Sequence, residues 1–310
     1  MHNENLTEFN DKEVGYVLYL SSSLLDICFN TVALYILIHM KYKKFFQIVT
    51  IMTFNSLIVN LNDSVVFIYG LMIRDQIYIA HSTIFYPDHS YVNFMTYIFY
   101  PIWNISYSFG SLLDTYLVYE RIQLLRAELK FIKNTPVWIV ALFLLFIACS
   151  LNITVYLSRE VNVRILNTNT SNKTLYFIDT TYISQNIGFI FYTYFNNFVR
   201  DGITVLIDIL FNISLVQSMK RFNARHLFLS TQSHSVSILK KSERKNIFIA
   251  FILCLMSVFI HIVSFLTFML FISGLKSVWT FTSLINGILH SIKNAMNFFI
   301  YLLLNEKFKK

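Results

Sequence analysis

The chain has 310 residues, of which 55% are hydrophobic, 17% aromatic and only 14% charged. A soluble domain carries about a quarter charged residues, so this composition excludes an ordinary soluble fold and points to a polytopic membrane protein. The net charge of +8 then reports mainly which loops face the cytosol, and nucleic acid is not an expected partner.

A membrane span needs about 20 mostly apolar residues, and seven segments meet that requirement. Ahead of them, Met1–Glu13 is polar and acidic with no basic leader; no signal peptide is expected, and residues 1–13 read as an extracellular segment. The first span, Val14–Met40, carries Asp26 and Asn30. The second, Phe46–Ile73, carries Asp63 within "LIVNLNDSVVF". The third, Tyr91–Tyr119, holds Asp114 and runs into the charged end "DTYLVYERIQLLRAELK". Pro136–Leu157 is the fourth and Val199–Met219 the fifth, with Asp208 inside it. The aromatic stretch Tyr182–Phe198 either prolongs the fifth helix or forms a loop. Asn246–Ile272 and Val278–Leu304 complete the set, and residues 305–310 form a short cytosolic end. No linker or repeat divides residues 14–304, so the expected fold is a single all-α membrane domain, a seven-transmembrane helix bundle.

Lys and Arg orient the bundle. Lys41, Lys43 and Lys44, the group from Arg121 to Lys133, the loop Lys220–Lys245 and the terminal Lys307, Lys309 and Lys310 fall at one set of helix ends and hold most of the 25 bases. The asymmetry places the N-terminus outside and the C-terminus in the cytosol. Glycosylation sequons at Asn5, Asn169 and Asn172 fall on the expected outer side. Those at Asn62, Asn104, Asn152 and Asn212 lie inside apolar spans and are expected to be inert. The cytosolic Lys220–Lys245 loop is expected to attract anionic lipid at about 1 kcal/mol per base or to contact a cytosolic partner.

Cys28, Cys149 and Cys254 sit in apolar stretches without disulfide or metal-ligand spacing, and simple packing is expected for all three. The chain has no His-Glu-x-x-His, no Cys/His cluster and no serine elbow. Neither a metal, a cofactor nor an enzymatic activity is expected.

Four features share one pattern. Glu120-Arg121-Ile122 closes the third helix, and "NAMNFFIYLLLNEKFKK" closes the seventh with Asn297 and Tyr301. Asn30 and Asp63 stand in the first and second helices. In this order the chain resembles rhodopsin-type G-protein-coupled receptors, which end helix three in Asp/Glu-Arg-Tyr and helix seven in Asn-Pro-x-x-Tyr. The departures resemble divergent invertebrate members such as nematode serpentine chemoreceptors or orphan peptide-type receptors. Phe298 stands where that motif has proline, and the only prolines are Pro87, Pro101 and Pro136. Helix six, "IFIAFILCLMSVFIHIVSFLTF", lacks the Cys-Trp-x-Pro switch, and the cysteine expected at the outer end of helix three would fall at Thr96.

The resemblance implies a plasma-membrane, multi-pass receptor that binds an extracellular ligand between its helices and activates a heterotrimeric G protein. Glu120 would hold Arg121 at rest; released, the guanidinium would offer five donors to the G protein. The competing reading of Arg121 is an interface anchor that snorkels. Asn297 and Tyr301 would share the coupling role. Asn30, Asp63, Asp114, Lys293 and Asn294 would form a polar network in the helix core. Ionisable residues inside spans mark function or pairing: Lys293 either pairs with Asp63, where that family binds sodium, or faces a watery cavity, or both groups are neutral. The resemblance puts the ligand site among Trp103, Tyr107, Trp279, Asn286 and His290; helix packing and the interfacial belt are the competing reading. Trp103 replaces the Asp of amine receptors and Ser291 the retinal Lys, which disfavours both ligands. The alternative function is a ligand-gated channel or transporter, which requires a polar stripe through the bundle or Gly/Pro-broken helices.

Overall fold

In the computed structural model the first two expected spans are helices α1 (Glu4–His39) and α2 (Lys44–Ile73). The structure describes residues 4–39, 44–73, 78–80, 83–126, 135–167, 172–229 and scattered positions between 252 and 292. Helix α1 starts at Glu4, well before Val14. Residues 4–13 contain neither Gly nor Pro, so nothing in them stops the helix once it is nucleated by the apolar turns that follow.

The third expected span forms one helical rod in three parts. Helix α3 (His89–Phe94) is followed by a π-helical turn at Met95–Phe99 and then by α4 (Tyr100–Arg126). Pro101 accounts for the wide turn. Its ring has no N–H and clashes with the carbonyl four residues earlier, which is that of Tyr97 inside the π turn. Asn62 of α2 reaches across and donates to the Phe99 carbonyl at 3.3 Å. The N-terminus of α3 is capped by Asp88, which accepts from the Ser90 backbone N–H at 2.7 Å.

The fourth span is broken into α5 (Val137–Leu151) and α6 (Ile153–Leu157) at Asn152. The Asn152 amide turns inward, donating to the Ser108 hydroxyl of α4 at 2.9 Å and to its own Ala148 carbonyl at 2.8 Å. Tyr182–Phe198 prolongs the fifth helix. After a 3-10 turn at Tyr182–Gln185, α7 (Ile187–Asn197), a π segment at Phe198–Ile203 and α8 (Thr204–Leu229) follow one another.

The fold is mostly helical, in keeping with an all-α membrane protein, with two hairpins beside the helices; the described residues do not show seven spans. Strands β1 (Tyr78–Ala80) and β2 (Thr83–Phe85) pair antiparallel, as do β3 (Arg159–Asn167) and β4 (Asn172–Thr180). A bridge between Tyr86 and Tyr176 joins the two hairpins. The pattern was present: Val161, Val163 and Ile165 alternate with Glu160, Asn162 and Arg164, a period-two signature of β-branched residues. Val161, Tyr176 and Ile178 pack on Tyr91, Val92 and Met95, so one hairpin face rests on the helix bundle.

Three helices among the described residues are long and apolar enough to cross a membrane: Leu20–Ile38, Gln47–Ile73 and Val137–Leu157. Shorter apolar helices cover Thr204–Ser218 and Val258–Thr267. The chain is therefore a membrane protein by length and composition of its helices. Helix α4 is not among the apolar ones because its inventory is polar, and its position explains why that is tolerated. It packs against α2, α5 and α8, and Ser106, Ser108, Ser111 and Asp114 are buried in its contacts. Leu113, Leu117 and Phe109 of the same helix meet Leu37, Ile48, Val49 and Ala148 in the main apolar core. The large apolar side chains left exposed, among them Leu142, Phe143 and Phe146 of α5 and Leu206 and Leu210 of α8, suit a hydrocarbon solvent.

Candidate functional site

Polar residues are buried at several contacts deep in the bundle, a band with many of its members on or against α4. At the α2–α4 contact, Asn55 donates to the Ser106 carbonyl at 2.8 Å. Gly110 allows this approach, since a Cβ there would stand 3.2 Å from the Asn55 amide nitrogen. On another side of α4, the Thr115 hydroxyl donates to the Asp208 carboxylate of α8, while Asn212 donates to the Asp208 carbonyl at 3.0 Å. Asp26, Asp63, Asp114 and Asp208 are 3%, 3%, 2% and 0% exposed. Asp26 and Asp63 lie buried on α1 and α2, which pack against each other. Asn30 lies one helical turn from Asp26 and is also buried. Buried carboxylates are costly without compensation, so this band marks the part of the molecule where function or pairing is concentrated.

Toward the hairpin end of α4 the band becomes aromatic. Tyr100, Trp103 and Tyr107 recur at helical spacing on one face, are half-buried, and the Trp103 and Tyr107 rings stack at 5.8 Å with 4° between planes. The Tyr107 hydroxyl donates to the Ser264 hydroxyl at 2.9 Å, which donates to the Asn286 side-chain oxygen at 2.9 Å. One hydrogen-bond chain thus joins α4 to two later helical segments. The structure brings together Trp103, Tyr107 and Asn286 of the expected ligand set and adds Ser264, which carries no sequence signal of its own. Trp279 and His290 lie outside the described residues.

At the opposite end of α4, the Glu120 carboxylate accepts from the Tyr116 hydroxyl at 2.9 Å and lies 3.8 Å from the Lys44 ammonium. Tyr116 stands one turn before Glu120, a neighbour readable from spacing. Lys44 comes from α2, a pairing that only the packing supplies. Arg121 continues the helical backbone of α4, and its side chain lies outside the described residues, as do Lys293, Asn294, Asn297 and Tyr301. Of the glycosylation sequons, Asn5 lies in the backbone of α1 and Asn172 opens β4. Asn169 lies outside the described residues, in the sequence between β3 and β4. Asn62, Asn152 and Asn212 are buried, in keeping with inert sequons.

The fold and this band define a class: a mostly helical membrane protein built around a polar central helix with an aromatic end and an acidic end. No protein-family profile matches the chain, and no curated protein matches it either. Among the described residues, no group of three or more His, Cys, Asp or Glu is placed to hold a metal ion.

Proposed function

We propose that the chain is a G-protein-coupled receptor of the plasma membrane, a seven-helix bundle with its N-terminus outside. An extracellular ligand binds at the Trp103–Tyr107–Asn286 face, and a heterotrimeric G protein binds at the Glu120–Arg121 end. The observation that carries this reading is the dual nature of α4. One rigid helix bears the aromatic column and the Tyr107–Ser264–Asn286 chain at one end and the Tyr116–Glu120–Lys44 cluster at the other. A ligand that disturbs the hydrogen-bond chain changes how α4 sits against two later helices, and that change reaches Glu120 about 20 Å away along the axis. Lys44 and Tyr116 hold the Glu120 carboxylate in the resting state, and activation releases Arg121 toward the G protein. Ligand-driven nucleotide exchange, read with a promiscuous G-protein reporter, tests the proposal. Exchange that never responds to any ligand, in a protein displayed at the cell surface, would count against it.

One observation favours a second reading, a channel or transporter. Asp26, Asp63, Asp114 and Asp208, buried on four different helices, are intramembrane carboxylates of the kind that line an ion path. Ionic current across a bilayer holding the purified chain, with no G protein present, would favour this alternative.

A further inference from the structure

Arg159 opens β3 where the hairpin meets the helices. In the β3–β4 register Arg159 stands opposite Thr180, Val161 opposite Ile178 and Val163 opposite Tyr176. Directly opposed residues share a face, so Arg159 lies on the face whose Val161, Tyr176 and Ile178 pack against the bundle. Its guanidinium carbon lies 3.9 Å from the centre of the Tyr100 ring. Its Nη1 is buried and has no hydrogen-bond partner among the described residues.

Among the described residues, the acids of the hairpin and of the α3 cap have partners of their own. Glu160 and Asp179 oppose each other on the other hairpin face, where both accept from the Asn162 amide, at 3.4 Å and 3.1 Å. Asp179 also accepts from the Thr180 backbone N–H at 2.7 Å. Asp88 is held by the Tyr69 hydroxyl and the Ser90 N–H. Burial lowers the Arg159 pKa from its ordinary value, with Tyr100 acting in the opposite direction, yet a guanidinium stays charged at neutral pH. Arg159 is half-buried as a residue, but a buried guanidinium nitrogen with no described partner is costly, and a ring beneath it offsets only part of that cost. Such a group calls for an explanation in what it binds.

We infer that Arg159 is an anion-recognition site that takes the carboxylate of a small amphipathic ligand, whose apolar body lies along Trp103 and Tyr107. The inference rests on the reading of this end of α4 as the ligand end. Tyr100 to Tyr107 spans about 10 Å along the helix axis, which sets the length of the apolar body. The guanidinium fork meets a carboxylate in bidentate fashion, which a lysine cannot reproduce. The Ser264–Asn286 pair receives the far end.

The test is direct binding to the full chain in phosphatidylcholine nanodiscs, with empty nanodiscs as the blank. The probes are radiolabelled straight-chain and phenyl-terminated carboxylates of about this length, each beside its primary amide. The site predicts that at least one carboxylate binds roughly tenfold or more tightly than its amide, that Arg159→Gln abolishes this preference, and that Arg159→Lys restores it in part. Retained amide binding by Arg159→Gln reports an intact fold. Should Arg159→Gln lose amide binding as well, the Arg159→Lys variant decides: a reduced carboxylate preference supports the site and an unchanged one removes it. The inference is overturned if no carboxylate binds, if acids and amides bind alike, or if phosphatidylserine added to the nanodiscs displaces the probe, which would make the site a lipid-headgroup contact. The readout needs no G protein. Charge-selective binding without ligand-driven exchange would remove the receptor reading and leave the site; exchange without dependence on Arg159 would do the reverse.

Discussion

Single side chains at the two ends of α4 carry the most exposed predictions. Arg121→Ala is expected to reach the cell surface at wild-type levels, because a base at a membrane edge contributes little to folding. Its nucleotide exchange on a G protein is expected to fall to background; normal signalling would reduce Arg121 to an anchor. Glu120→Gln removes the charge facing Lys44 and keeps the hydrogen-bond acceptor for Tyr116. Exchange without ligand should then rise several-fold over wild type in the same reporter, and an unchanged basal level would argue that this carboxylate restrains nothing. Deeper in the bundle, Thr115→Val withdraws the hydroxyl that α4 offers to Asp208. Interhelical hydrogen bonds in membranes are worth about 0.6 kcal/mol on average and up to about 1.7. We expect the upper part of that range, because Asp208 is 0% exposed and water cannot replace the lost donor. A double-mutant cycle with Asp208→Asn, read as thermal unfolding in detergent, measures it; strict additivity would mean the two groups are not coupled.

At the scale of elements, the contact between α2 and α4 depends on a small residue. In Gly110→Val the Cβ stands only 3.2 Å from the Asn55 amide nitrogen, so α2 or Asn55 must give way. Overpacking of this kind costs about 1–3 kcal/mol. The loss should shrink when Asn55→Ala is combined with it, and a stability equal to wild type for Gly110→Val alone would refute the tight contact. The limits of α2 and of the α5–α6 span match the expected Phe46–Ile73 and Pro136–Leu157 closely, because long apolar runs have one stable state in hydrocarbon. The β3–β4 hairpin is legible in its alternation but not in apolar length, which favours helices. The π turn before Pro101 was legible only in principle: proline announces a defect, but whether the helix kinks, breaks or widens depends on its neighbours.

For the whole molecule the orientation is the pivotal prediction. With the hairpins outside, Asn169→Gln and Asn172→Gln should each be silent in folding, and the double variant should migrate faster on a gel than wild type expressed in eukaryotic cells. If enzymatic deglycosylation does not shift the mobility of wild type, the orientation loses this support. Arg159, on the same side, belongs to the same expectation, since its proposed ligand must arrive from outside. The band of buried carboxylates from Asp26 to Asp208 is a property of the assembled bundle. Asn30, Asp63 and Asp114, expected in a core network, are each buried in it, and Lys293 lies beyond the described residues. In the Lys293→Met variant, the Asp63 pairing predicts a loss of stability that Asp63→Asn largely rescues.

By itself the sequence determined that this is a membrane protein, where several of its helices run, and which residues sit at the ends of the third helix. Those properties follow from the free energy of apolar chain in water, which acts on each segment independently of the rest. Only the tertiary structure decided that the least apolar helix is the central one, that Glu120 faces Lys44 and Tyr116, that Tyr107 reaches Asn286 through Ser264, and that Arg159 turns toward the bundle and away from the hairpin acids. Each of these is a meeting of side chains from separate elements. Hydrogen bonds and charges act over a few ångströms, so which groups meet is settled by how the helices pack and in what register the strands pair, and no single segment carries that information.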